Sequence, residues 1–172
     1  MRRVPVSTNH PSLHRPAAST LLASMGWRTL HLIDVDNLLG DPRCCEGDRI
    51  RGLFDAYRQA SSFAPGDHVV VATGCNAQHA LEVELAWPTV CHRRRSGRDG
   101  ADMALLEESE WAARAGRFRR VVIGSGDRIF LDAMDRLRAV DITVDFVARR
   151  RSLAAAIGVR ARDCIRFLPE LA

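Results

Sequence analysis

The sequence contains no lysine. Its 25 Lys-plus-Arg positions are all arginine, so any mechanism that needs a lysine is excluded, whether for a Schiff base or as the charge partner of a phosphoryl-enzyme. No apolar run approaches the ~20 residues that span a bilayer. None of the cysteines (Cys44, Cys45, Cys75, Cys91, Cys164) forms a Cys-x-x-Cys pair or has a nearby histidine completing a zinc pattern. Reduced thiols buried as small hydrophobes, in a cytoplasmic protein, are the expectation. There is no glycine-rich phosphate loop, since "GSGD" is too short for a dinucleotide fingerprint. Residues 1–27 lack acids altogether while carrying Arg2, Arg3 and Arg15. With their Pro and Ser content they read as a flexible tail.

Removing that tail changes the charge balance. The net charge is +4, but residues 28–172 hold 22 arginines against 21 acids. The body is thus not generally basic, and a nucleic-acid surface on it must be a local patch. Its length suits one domain with a substantial core, and an all-arginine basic set fits a GC-rich bacterial genome.

Apolar runs then alternate with helical periodicity. Strands are expected at Thr29–Val35, "HVVVAT", "TVCH", "RRVVIG" and "ITVDFVA", with a short further one in "CIRFL". "HVVVAT" is continuous enough to be buried on both faces. Helices are expected at Asp48–Ala60, "CNAQHALEVELAW" with Asn76 as cap, "ADMALLEESEWAARAG" closed by Gly116, "RIFLDAMDRLRA" and "SLAAAIGV". Strands alternating with helices predict a three-layer α/β/α sandwich around a mostly parallel sheet of about five strands.

In such a sheet, ligands sit beyond the carboxyl ends of the strands. Asp34 and Asp36 end the first strand. Asp99 and Asp102 lie between the third strand and its helix, and Asp127 follows the fourth. Each has an ordinary explanation as a turn former or helix cap. Carboxylates delivered together by separate strand ends instead predict a hard divalent cation, Mg²⁺ or Mn²⁺, to offset their repulsion. Two arginine runs, Arg93, Arg94, Arg95 and Arg98 after the third strand and Arg149, Arg150 and Arg151 after the fifth, are expected at the rim. There they suit a phosphodiester backbone such as that of RNA.

Two families share these motifs. "LIDVDNLL" resembles the first motif of haloacid-dehalogenase-type phosphatases, which implies Asp34 as nucleophile and Asp36 as general acid; the missing lysine counts against it. A longer stretch, Thr29 to Leu168, resembles the NYN family of PIN-related nuclease domains. The likeness rests on Asp34-x-x-Asn37, the Gly-x-Asp step ending at Asp102, Ser125-Gly126-Asp127, and "VDFVARRRSLAAA". That resemblance implies a metal-dependent ribonuclease in which Asp34, Asp102 and Asp127 hold the metal and Asn37 and Ser125 orient the site. Asp36 and Asp99 would be accessory, and pairing into a homodimer is common among such domains. One departure stands out: Ile129 occupies the position where many relatives have a second aspartate. It puts a second metal in doubt and motivates a third reading, a binding module without turnover.

Overall fold

The computed structural model describes residues 28–41, 44–74 and 77–169. The expected tail over 1–27 and the expected cap Asn76 lie outside the described residues. The strands are β1 (Arg28–Asp34), β2 (His68–Thr73), β3 (Cys91–Arg94), β4 (Phe118–Gly124), β5 (Thr143–Ala148) and β6 (Ile165–Phe167). All pair in parallel within one sheet, in the order β3-β2-β1-β4-β5-β6. The sheet therefore has six strands rather than about five. The short "CIRFL" segment joins β5 through Phe146↔Ile165 and Ala148↔Phe167.

The helices are α1 (Val35–Leu39), α2 (Gly47–Ser61), α3 (Ala77–Ala86), α4 (Gly100–Ala115), α5 (Leu131–Arg138) and α6 (Ala155–Arg160). Strand side chains alternate between two cores, as a period of two requires. Leu30, Leu32, Val70, Val121, Ile123, Val144 and Phe146 pack with Leu105 of α4 and Met134 of α5. Ile33, Val69, Val71, Val122 and Val147 pack on the other face with Leu38 of α1 and Leu53, Phe54 and Tyr57 of α2. Each fully buried side chain of this size contributes ~1.5–3 kcal/mol. The last five residues of β1 and the last four of β4 are all buried, so these two strand ends are among the most tightly held points of the sheet.

Right-handed crossovers explain which helix covers which face. The chain moves from β1 to β2 and β3 on the α1–α3 side, then crosses to β4 and continues outward on the α4–α6 side. β1 and β4 are adjacent, yet their following loops turn to opposite faces. A crevice opens between them, at the topological switch point where ligands bind in open α/β sheets.

Local differences from expectation have physical causes. β1 stops at Asp34 because that side chain caps α1, a helix too short to show periodicity. β3 starts two residues late, after the Pro88 turn, and runs on through Arg93 and Arg94. α6 starts at Ala155 rather than Ser152. Ser152 N–H closes a turn onto Arg149 O at 3.2 Å, and Ala154 N–H is held by Gly126 O at 2.9 Å.

Near the other end of β1, His31 is fully buried. Its Nδ1 lies 3.0 Å from the Tyr57 hydroxyl and its Nε2 3.2 Å from Asp67 Oδ2. A neutral ring satisfies both, donating to Asp67 and accepting from Tyr57. Burial lowers the His31 pKa, against the opposing pull of Asp67. The unfolded chain therefore takes up this proton first as the solution is acidified. Its contribution is fully present above the ordinary histidine value of 6.5 and is lost as pH falls below it. Melting curves of wild type and His31→Gln across the acid range should show this loss in wild type alone; equal acid sensitivity in both would remove His31 as its source.

Candidate functional site

Asp34 is the last residue of β1 and only 3 % exposed. Its Oδ1 accepts the Asn37 N–H at 3.1 Å, capping α1. Across the β1–β4 crevice, the Ser125 hydroxyl donates to Asp34 Oδ2 at 3.1 Å. Asn37 returns the link: its Oδ1 accepts the Gly126 N–H at 2.9 Å. Ser125 Oγ also accepts the Asp127 N–H at 3.2 Å, and Asp127 Oδ1 accepts the Ile129 N–H at 3.0 Å. The Asp-x-x-Asn and Ser-Gly-Asp stretches are thus one hydrogen-bonded unit joining two strand ends. Gly126 is required within it, because a Cβ there would lie 2.4 Å from Ser152 O.

Asp102 arrives from a third direction, on the first turn of α4. That turn is drawn against the end of β3 so closely that a Cβ on Gly100 would lie 2.2 Å from Arg95 O. Asp99 precedes it in the left-handed region, at φ 56°. Asp34, Asp36, Asn37, Asp99, Asp102 and Asp127 all line a cleft of about 270 Å³. The caps at Asp34 and Asp127 are real, so the ordinary reading holds for both, and both also line the cleft.

The electrostatics of the cleft are unfavourable as it stands. Burial raises the Asp34 pKa well above the ordinary carboxyl range, and the neighbouring Asp102 charge raises it further. Burial also raises Asp102, as do Asp127 and Asp99, while a hydrogen bond from Asp34 opposes the rise. The ionised forms of the two carboxyls therefore disfavour one another. Asp102 Oδ1 is buried with no hydrogen-bond partner. No family model, curated protein or solved structure matches this chain.

The cleft offers oxygen donors only, from residues whose ionised forms need a positive partner, and that fits a hard divalent cation. Among the described residues, no three His, Cys, Asp or Glu side chains are grouped closely enough to enclose a metal by themselves. Mg²⁺ commonly binds through one or two carboxylates and completes its shell with water and substrate phosphate. The Asp34–Asp102 pair matches that pattern, with Asp127 facing it across the cleft.

Asp36 has a different role, and its partner was not anticipated. Its Oδ2 accepts the Gly74 N–H at 2.8 Å, and its Oδ1 lies 2.9 Å from His79 Nε2. His79, on α3 and 1 % exposed, places its other nitrogen 2.8 Å from Cys44 O. Both ring nitrogens therefore face acceptor oxygens, and the His79 pKa is raised, chiefly by Asp36. This strut joins the β1–α1 turn to β2 and α3 and anchors Asp36 at the cleft wall. The sequence signal for it was slight: a lone histidine in a helical stretch, opposite an acid with no obvious partner. His79→Ala should cost about 1–3 kcal/mol by leaving Asp36 without its partner. A urea midpoint equal to wild type would show that the strut carries no stability.

The two arginine runs divide. Arg93 pairs with Glu108 at 2.7 Å, Arg94 with Glu84 at 2.6 Å, and Arg95 with Glu107. These three tie β3 to α3 and α4, and their charges are already balanced. Arg98 stays in solvent beside Asp99 at 3.9 Å. Arg149 donates to Leu39 O at 2.6 Å, satisfying the end of α1. With Arg150 and Arg151 it lines a separate, larger groove of about 710 Å³ rather than the acidic cleft. Ile129 packs against the α4–α5 core and is not among the residues lining the cleft.

Proposed function

We propose that this chain is a metal-dependent ribonuclease of NYN/PIN-like type, hydrolysing RNA phosphodiester bonds at the β1–β4 switch point. The observation that carries the reading is the pair of buried Asp34 and half-buried Asp102, delivered by β1 and α4, with Asp127, just past β4, lining the same cleft. Mg²⁺ or Mn²⁺ would supply a Lewis acid that activates water and offsets charge on the phosphate. Asp34 and Asp102 are the residues that would hold it. Ser125 and Asn37 fix Asp34 in place, so no reorganisation is needed when substrate arrives. Asp127 adds negative potential on the open side.

The same geometry favours this reading over an aspartyl-phosphate mechanism. Both Asp34 oxygens accept hydrogen bonds and the residue is nearly buried, which is a poor setting for attack on phosphorus. Asp36, the acid in that mechanism, is held by Gly74 and His79. Parallel assays on single-stranded RNA and on p-nitrophenyl phosphate, each with Mn²⁺, separate the two. RNA cleavage alone is expected; monoester hydrolysis with a phosphorylated Asp34 would replace the proposal. Retention of RNA, insensitive to EDTA and without cleavage, would instead mark a binding module.

A further inference from the structure

We infer that the groove beside β5 and β6 binds the backbone of a single-stranded nucleic acid whose scissile phosphate reaches the acidic cleft, with Arg150 and Phe167 stacking one base. This deepens the ribonuclease reading and rests on it for the identity of the cleft. The groove lies between the end of α2 and the β5–α6 turn, with Gln59, Arg149, Arg150, Arg151, Phe167 and Pro169 in its wall. No carboxylate contributes to that wall among the described residues, whereas three arginines of the β3 run each have a glutamate. Consecutive guanidiniums without acids form a site for phosphates.

A second observation narrows the ligand. The Arg150 guanidinium lies over the Phe167 ring, 4.2 Å from its centroid. Phe167 is half-buried and Arg150 exposed, so the ring holds the guanidinium while its outer face stays open. Such a plane stacks an unpaired base. A duplex keeps its base faces inside and cannot use it. The turn also touches both sides of the cleft. Arg149 holds the end of the helix that Asp34 caps, and Ser152 O packs against Gly126. The chain's own first 27 residues carry arginine and no acid, so charge disfavours them as the occupant.

The test is fluorescence anisotropy of the full chain in EDTA, with a labelled oligouridylate of about 12 nucleotides, within the usual range for single-strand grooves. Arg150→Ala/Arg151→Ala should weaken binding about tenfold or more and lower the salt slope by about 1.4, the value for two lost phosphate contacts on a single strand. The charge-matched pair Arg114→Ala/Arg136→Ala, which lines a different groove on α4 and α5, should stay within about twofold, as net charge alone predicts little. Phe167→Leu should weaken oligouridylate about fivefold or more and leave inorganic polyphosphate unaffected. Equal losses in the two double variants, no loss in either, or duplex RNA bound as tightly as single strand would each overturn the inference. Failure of the nuclease reading looks different. Groove variants would then weaken binding as expected while wild type cleaves nothing with Mn²⁺. Cleavage by wild type with unaltered binding in the groove variants would sink the groove alone.

Discussion

Asp34→Asn is expected to abolish Mn²⁺-dependent RNA cleavage and, in metal-free protein, to raise the melting temperature. The two effects share one cause. Asn has nearly the same shape, and its carbonyl can still accept the Asn37 N–H that caps α1. Its NH₂ adds no charge beside Asp102. What disappears is a buried acid whose ionisation is suppressed first by desolvation and then by the Asp102 charge. Relief of that cost stabilises the fold, by about 2–4 °C for each kcal/mol in a chain of this size. Loss of a charged ligand removes several kcal/mol of transition-state stabilisation, and ~4 kcal/mol corresponds to a rate loss on the order of 10³. Gel-based cleavage assays and scanning fluorimetry on the same preparation read both. A lower melting temperature would show that the Asp34 charge serves the fold, as a cap, rather than a ligand.

Mn²⁺ itself should stabilise the wild type and leave Asp34→Asn nearly unmoved. At about 100 times its dissociation constant, a ligand bound only by the folded state adds ~2.7 kcal/mol, or ~5–10 °C here. The pH dependence has a definite sign. Both Asp34 and Asp102 have folded pKa values raised above the ordinary 3.8. Between that value and the folded pKa, the folded state holds more protons than the unfolded. Metal-free stability therefore falls as pH rises through this window, and the cost is absent below it. Saturating cation holds the carboxylates ionised and should flatten this slope. Melting curves from acid to neutral pH, with Mn²⁺ and with EDTA, measure it. A metal-free slope of the opposite sign would contradict the unfavourable cluster on which the site assignment depends. The His31 contribution runs the other way, so the comparison is best made as a difference between wild type and Asp34→Asn.

Much of this was legible in the sequence, and the parts that were not share a reason. Continuous apolar runs such as "HVVVAT" announce strands buried on both faces, and the alternation with helices announces a parallel sheet. The strand-end rule then gathers Asp34, Asp36, Asp99, Asp102 and Asp127 at one edge, and all five line the cleft. Strand order was not readable, although it supplies the strongest positional argument by placing β1 beside β4. Side-chain partners distant in the chain were equally hidden. Arg93 and Arg95 look like free cations beside a cleft until α4 folds back and presents Glu108 and Glu107. Asp36 looks like the partner of Asp34, two residues away, until α3 brings His79 to it. In both cases local spacing gave the charge and tertiary packing gave its use. Ile129 is the reverse case. A missing acid in a motif reads as a lost ligand, and in the fold the half-buried side chain at that position packs against the core.

The most direct measurement is a time course of labelled single-stranded RNA with the full chain and Mn²⁺, run beside EDTA and beside Asp34→Asn. Cleavage in the first reaction, and in neither of the others, is the predicted result. Undiminished cleavage by Asp34→Asn, or cleavage that EDTA does not stop, would contradict the claim that the Asp34–Asp102 pair holds the catalytic cation.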